Sequence, residues 1–237
     1  MKKIEELTYR LHSIEVLRIL KKMMPYNELS SMLNIPPTAL SRYVNGHVIP
    51  SFETAHLIFN IFKKEYLIKE INNRITVDEF GAIDNSSIIY DPVFLKNLIM
   101  SEYEKINSVK IDKVLTLEAD GIPVAYQIAS ILGKGVAVAR KAKGLGAREF
   151  IEIKQVFESG TYRYIYLHKN AIKRGEYVFL ADDIIRTGAT MRALVSLCRE
   201  AKANVSGIFT IISLGKIRSR LEGELGIPVI SFVELSR

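Results

Sequence analysis

Between Tyr177 and Thr190 the chain passes from an apolar run, Tyr177-Val178-Phe179-Leu180-Ala181, straight into two carboxylates, Asp182 and Asp183. Ile184, Ile185 and Arg186 lead on to Thr187-Gly188-Ala189-Thr190, and Met191, Leu194, Val195 and Cys198 then recur at helical spacing. No other part of the chain constrains the fold as much. A β-rich apolar run, a short glycine-containing loop and an amphipathic helix make a strand–loop–helix unit of the kind found at the C-terminal edge of a parallel sheet, where open α/β folds bind ligands. Backbone N–H groups of residues 187–190 can converge on a phosphate at the helix N-terminus. Gly188 permits close approach of the backbone, and two threonine hydroxyls add donors. An acidic strand end followed by an ordinary helix cap is the alternative.

Paired aspartates beside a phosphate cradle are repulsive unless they accept hydrogen bonds from neutral hydroxyls and sit near Mg²⁺. A phosphorylated ribose fits, with its 5′-phosphate in the loop and its 2′- and 3′-hydroxyls at the carboxylates. The stretch resembles the 5-phosphoribosyl-1-diphosphate (PRPP) motif of type I phosphoribosyltransferases: an apolar strand, two acids, two variable residues, then Thr-Gly-Gly-Thr or similar. Ala189 stands where a second glycine is commonest. The resemblance implies PRPP binding by Asp182, Asp183, Arg186, Thr187, Gly188, Ala189 and Thr190. It also implies Mg²⁺ carried in with PRPP, without a direct protein metal ligand.

Two further segments fit the same family. Leu117-Glu118-Ala119-Asp120-Gly121-Ile122-Pro123 follows an apolar strand and precedes a helix. It resembles the loop that cradles the pyrophosphate of PRPP, which implies that role for Glu118, Ala119, Asp120 and Gly121. Then Val138-Ala139-Arg140-Lys141-Ala142-Lys143-Gly144-Leu145-Gly146 ends a strand in three cations and two glycines. The family has a mobile loop beginning near this point, and the resemblance makes Arg140, Lys141 and Lys143 its anion ligands; a solvated basic loop is the alternative. Residues 149–157 and 161–169 alternate apolar and polar side chains across Glu158-Ser159-Gly160 and predict a hairpin. Tyr162, Tyr164 and Tyr166 share one of its faces, expected to serve packing rather than base stacking. The resemblance covers about residues 85–237. No side chain is assigned a catalytic role, and no base-recognition sequence is evident.

The N-terminal third has another texture. Residues 1–75 hold 11 Lys and Arg against 7 Glu, no Asp, and Gly46 as their only glycine. Ile4, Leu7, Leu11, Ile14, Val16, Leu17 and Leu20 recur at helical spacing. Pro25 ends this first helix. Asn27 is expected to cap a short second one over 28–33. Asn34 and Ile35 make a tight turn, and Pro36-Pro37 open a third helix that stops at Gly46. Ser51 caps the next, with Phe52, Ala55, Ile58, Phe59 and Phe62 at its apolar positions. Leu29, Leu33, Ile35 and Leu40 should face a core. Pro37 opens the outward face, on which Thr38, Ser41, Arg42 and Asn45 offer small or planar hydrogen-bonding groups suited to base edges and phosphates in a major groove. The run from Glu28 to Ile58 resembles the Cro/phage-repressor class of helix-turn-helix domains, with Val44 departing where that class often has a polar residue. A helical bundle used for dimerisation is the alternative.

Downstream, short β-rich runs at 114–117, 135–139, 177–180, 205–213 and 228–233 alternate with helical stretches, which predicts a βαβ, largely parallel sheet. The expected architecture is α/β: a type I phosphoribosyltransferase-like parallel sheet with flanking helices over 76–237, preceded by a small all-α helix-turn-helix domain over 1–75. Apolar residues make up 48% and charged residues 25% of the chain, which excludes a mainly disordered protein. A single cysteine, Cys198, excludes an internal disulfide or a cysteine-based zinc site, and His12, His47, His56 and His168 lack metal-ligand spacing. No apolar run has the length of a membrane helix, and the charged start lacks a signal core. A cytoplasmic protein without a membrane partner is expected, and the net charge of +7 permits a polyanionic one.

Together the two resemblances point to archaeal regulators that fuse a helix-turn-helix to a phosphoribosyltransferase domain, similar in plan to the bacterial purine repressor. They imply double-stranded DNA and PRPP, a nucleotide or a nucleobase as partners, and a homodimer. The other reading is an orotate- or purine-type phosphoribosyltransferase that turns over.

Overall fold

The computed structural model describes residues 3–144 and 149–236. Leu145 and Gly146 of the basic segment lie outside the described residues. The chain forms two compact units, residues 1–88 with 97–101, and residues 89–96 with 102–237. Loop-like sequence places the boundary near 72–90, with 75/76 as the expected division; residues 76–88 pack with the first unit. A second crossing at 97–101 returns part of a later helix to that unit, where Asn97 bonds His12 at 2.8 Å.

The first unit opens with α1 (Lys3–Met23), α2 (Tyr26–Leu33), α3 (Pro37–Val44) and α4 (Phe52–Phe62). A single π-helical turn, Lys63–Leu67, carries α4 into α5 (Ile68–Arg74), and β1 (Thr76–Val77) pairs antiparallel with β2 (Ile83–Asp84). Its core is built from Tyr9, Leu17, Leu20, Leu29, Leu33, Leu40, Ile58, Phe59 and Phe62, all buried. Ile35 is only half-buried.

The chemistry of the turns sets the boundaries. Pro25, in extended backbone, is itself the N-cap of α2, so the helix starts at Tyr26 and Asn27 lies inside it rather than capping it. Asn34 ends α2 in the left-handed region at φ 52°, a conformation asparagine tolerates. Pro37 occupies the first turn of α3, and Gly46 follows the helix at φ +74°. Ser51 caps α4 by accepting the Thr54 N–H at 3.2 Å. In α1, Ile14, Val16, Leu17 and Leu20 are buried, whereas Ile4, Leu7 and Leu11 stay exposed.

The chain leaves the first unit through α6 (Ser86–Ile89), α7 (Pro92–Ser101) and α8 (Tyr103–Ile106). The second unit is a five-stranded, all-parallel sheet in the order β4-β3-β7-β8-β9. Its strands are β3 (Lys113–Leu117), β4 (Gly135–Ala139), β7 (Tyr177–Ile185), β8 (Asn204–Leu214) and β9 (Val229–Leu235). The helices α9 (Gly121–Leu132), α10 (Ala189–Glu200) and α11 (Ile217–Leu225) connect or flank them. Leu115, Val178, Leu180, Ile208, Met191, Leu194 and Cys198 form one buried cluster, which accounts for the continuous apolar runs of the central strands.

Between β4 and β7, β5 (Phe150–Val156) and β6 (Tyr162–His168) form an antiparallel hairpin separate from the five-stranded sheet, its inward face in the same buried cluster. Gly160 turns it at φ +80°. Tyr162 and Tyr164 are exposed on its outer side, where Tyr162 meets Tyr164 edge-on at 5.9 Å and Lys154 lies 3.8 Å over the Tyr162 ring. Tyr166 on the same side is half-buried, edge-on to Phe150 at 6.4 Å, while the inward face is supplied by Ile165 and Leu167. β7 runs on through both aspartates instead of stopping before them: β8 pairs Asp182 with Thr210 and Ile185 with Ser213, so the sheet hydrogen bonding continues past the apolar run.

Candidate functional site

Because β3 and β7 are bonded neighbours, the loops that follow them leave the sheet side by side. At the root of the first, Gly121 is buried against Thr116 and Asp182. A Cβ placed on it would lie 2.3 Å from Thr116 Oγ1 and 2.7 Å from Asp182 Oδ1, so only glycine fits. Ala119 and Asp120 are exposed, and Glu118 is half-buried. The Glu118 carboxylate accepts the Lys141 N–H at 2.6 Å, and its own N–H donates to the Ala139 carbonyl at 3.0 Å. These bonds fasten the loop to the end of β4.

Asp182 is buried and its Oδ1 accepts the Asp183 N–H at 3.1 Å. Burial, then the neighbouring charge of Asp183, holds the Asp182 carboxyl well above the usual carboxylate range. Asp120 adds to that push. Asp183 is more open, and Thr210 Oγ1 donates to its carbonyl at 3.0 Å. From above, the exposed Tyr90 phenol donates to Asp120 Oδ1 at 3.3 Å, and the Asp120 charge raises the phenol in turn.

The second loop spans 186–188 and ends at Gly188, which caps α10 at φ 80°. Arg186 is exposed; Thr187, Ala189 and Thr190 are half-buried and Gly188 is buried. Two guanidinium groups hold the Thr187 carbonyl: Arg192 Nη1 at 2.9 Å and Arg220 Nη2 at 3.3 Å. Arg192 is itself clamped by Glu224 through two bonds of 2.8 Å, and that carboxylate raises its guanidinium further. In a trans peptide the C=O and the following N–H point to opposite sides. Tying down the Thr187 carbonyl therefore turns the Gly188 N–H the other way; behind it the Ala189 N–H, first of α10, donates to Thr187 Oγ1 at 3.4 Å. The sequence did not single out Arg192, Arg220 or Glu224. Their spacing gives no local signal, since α10 and α11 meet only through the fold.

Of the three basic residues expected to bind anions, Lys143 is paired with Glu152 at 2.9 Å and lies 5.0 Å over the Tyr166 ring. The backbone of Arg140 exchanges two 2.8 Å bonds with that of Tyr166, and both the Arg140 and Lys141 side chains are exposed. Among the described residues, no group of three or more His, Cys, Asp or Glu side chains is arranged to hold a metal ion.

In the first unit, Pro37, Thr38, Arg42 and Asn45 are exposed on α3 and its C-terminal cap, and Ser41 is half-buried. Asn45 Nδ2 donates to Ser41 Oγ at 3.3 Å. Arg18 Nε donates to the Val44 carbonyl at 2.8 Å, fixing the end of α3 to α1.

Residues 86–224 match the family model described as phosphoribosyl transferase domain, more than half of the chain. The chain belongs to the phosphoribosyltransferase domain family. Residues 14–67 match a second model, helix-turn-helix, so a helix-turn-helix domain of the Cro type precedes the phosphoribosyltransferase domain. Among curated relatives, adenine phosphoribosyltransferase of Nitrosomonas europaea is 33% identical over 153 residues, covering 63% of this chain and 87% of the relative. The hypoxanthine/guanine phosphoribosyltransferase of Methanobacterium lacus is 29% identical over 148 residues, 62% of this chain and 75% of the relative. Among solved structures, adenine phosphoribosyltransferase of Thermoanaerobacter pseudethanolicus superimposes with a TM-score of 0.64 at 25% identity, covering 71% of this chain and 99% of that one. The matches span between 75% and 99% of these relatives' own lengths. No helix among the described residues is long and apolar enough to cross a membrane.

Proposed function

We propose that this chain is a DNA-binding transcription regulator whose phosphoribosyltransferase domain senses PRPP, a nucleotide or a nucleobase. The observation that carries the reading is the covalent union of a helix-turn-helix domain with a phosphoribosyltransferase domain in one chain. Thr38, Ser41, Arg42 and Asn45 read and grip DNA, with Pro37 beginning the helix that enters the major groove. The amides at 187–190 and the two threonine hydroxyls take the 5′-phosphate, Asp182 and Asp183 the ribose hydroxyls, and the loop at 118–121 the diphosphate. Arg186 at its rim, with Arg140, Lys141 and Lys143 nearby, supplies positive charge.

Mg²⁺ would be carried in by the phosphates of PRPP rather than by a direct protein ligand, beside the acidic oxygens of Asp120 and Asp183. When bound with PRPP, the ion neutralises the diphosphate. Asp182, with its carboxyl pushed toward the neutral form, serves the hydroxyls.

Ligand and DNA are linked: a ligand that favours the DNA-bound arrangement tightens DNA binding by the same factor by which DNA tightens the ligand. In a homodimer the two recognition helices reach half-sites about 34 Å apart. A titration of the protein against its own upstream DNA at fixed salt, with and without Mg²⁺-PRPP, tests this. A PRPP-dependent change in DNA affinity supports the sensor, and no DNA binding in either condition overturns it.

The second reading, a catalytic purine phosphoribosyltransferase, is favoured by the adenine phosphoribosyltransferases among the relatives. Release of pyrophosphate on adding adenine to enzyme and Mg²⁺-PRPP distinguishes it.

A further inference from the structure

The hairpin of β5 and β6 has one position out of pattern. Along β5, Ile151, Ile153 and Gln155 share the inward face, while Glu152, Lys154 and Val156 face solvent. At the last step the polarity is reversed: Gln155 is 1% exposed and Val156 57% exposed. A buried amide in an apolar position persists only where its hydrogen bonds are met. Those of Gln155 are met by two groups. Arg163, its cross-strand partner, donates from Nε to Gln155 Oε1 at 2.7 Å. Gln155 Nε2 donates to Thr190 Oγ1 at 3.1 Å.

The direction of both bonds follows from chemistry. A guanidinium has donors only, so Gln155 must turn its oxygen to Arg163 and its NH₂ to Thr190. The Thr190 hydroxyl then receives a bond, and its single proton is left to be given elsewhere. Thr190 lies in the first turn of α10, in the run 187–190 read above as the phosphate cradle.

We infer that Gln155 is a positioning residue for that cradle: held by Arg163, it fixes the Thr190 hydroxyl as a donor toward a phosphate monoester. With one of its two lone pairs engaged by Gln155, the hydroxyl has fewer orientations open to its proton and loses less rotational freedom on giving it to an anion. The hairpin meets the same loop a second time, because Arg220 reaches both Glu158 Oε1 at 3.4 Å and the Thr187 carbonyl. Docking of the hairpin and occupation of the cradle therefore favour each other.

The inference rests on the reading of 187–190 as a phosphate site, and ribose 5-phosphate tests the two separately. Calorimetric titration of the full chain comes first; absence of binding to the parent protein overturns the phosphate reading and this inference with it. Given binding, Gln155→Leu keeps the shape without hydrogen bonds and is expected to weaken affinity about tenfold, as loss of one oriented donor to a charged group does. Thr190→Val should lose at least as much, and Gln155→Leu added to Thr190→Val should cost nothing further, because the amide acts only through the hydroxyl. Arg163→Met, which frees the amide to flip, should fall between the parent and Gln155→Leu. Parent-like affinity in Gln155→Leu, or additive losses in the double variant, overturns the positioning role while the phosphate reading stands. Equal thermal midpoints for parent and variants, checked by circular dichroism, exclude loss of the fold as the cause.

Discussion

Gly121 and Asp182 lie so close that a methyl group on one would stand 2.7 Å from a carboxylate oxygen of the other. The contact joins the loop after β3 to the acidic end of β7, and neither side can yield: Asp182 is buried, and Thr116 closes the other flank at 2.3 Å. Gly121→Ala should therefore destabilise the second unit by about 1–3 kcal/mol, the usual cost of overpacking. It should also weaken binding of ribose 5-phosphate by displacing Asp182. Denaturant midpoints and calorimetry on the same preparation measure both. An alanine variant matching the parent in each would show that the two loops are not sterically coupled.

The buried carboxyl of Asp182 makes a pH-dependent prediction. Its proton is held more tightly in the folded chain than in the unfolded one, where the ordinary value is 3.8. The folded state is thus penalised increasingly as pH rises from about the ordinary carboxylate value through the raised one. Asp182→Asn removes that penalty. Its thermal midpoint should exceed the parent's at neutral pH, by about 2–4 °C for each kcal/mol gained, and the gap should close as the pH falls toward 4. Ligand affinity should fall in the same variant, a trade of function for stability. A gap that widens on acidification would contradict the assigned burial effect.

The two modules should fail separately. Arg42→Ala is expected to cost about 1–3 kcal/mol of DNA binding, the range for one base or phosphate anchor, while leaving Mg²⁺-PRPP affinity close to the parent's. The pair Asp182→Asn and Asp183→Asn should do the reverse. Folded variants that each lost both activities would overturn the division of labour.

DNA affinity should fall steeply as salt rises, since released counterions dominate phosphate contacts. Titrations at several salt concentrations yield the slope of log K against log[salt]. A flat response would remove α3 as the DNA-facing element.

Cys198 offers a stability probe. Burial pushes its thiol up to about 12, so almost no thiolate exists at neutral pH in the folded chain. A colourimetric thiol reagent should react only as fast as the second unit opens, and at full stoichiometry in denaturant. Prompt reaction in buffer would place Cys198 outside the core.

The parallel sheet and the strand–loop–helix unit from Tyr177 to Glu200 were legible because their signals are local. Five β-rich runs predicted five parallel strands, and the passage from Ala181 to Thr190 carries its chemistry in consecutive residues. What escaped depended on distant partners. Pairing with β8 drew Asp182 and Asp183 into a strand whose apolar run ends before them. Glu152 took up Lys143 from across the basic segment. Pro25 capped α2 before Asn27 could, and Ile4, Leu7 and Leu11 have helical periodicity without a core beneath them. Gln155 did leave a mark, a polar side chain at an inward position of an alternating strand, but its partner Thr190 is 35 residues further on.

The π-helical turn at Lys63–Leu67 has a consequence for how the first unit tolerates change. Phe62, Leu67 and Ile71 are all buried, yet Phe62 and Leu67 are five residues apart, where an α-helix would bring a side chain back to the same face after three or four. The wide turn absorbs the odd residue and acts as a phase corrector between two otherwise regular helices. Deleting one residue between Lys63 and Tyr66 would allow an unbroken α-helix, so a shorter chain with the same buried side chains is as good a solution to the packing. Length at this point is free to drift by one, and the face that α4 and α5 share is what must stay in step.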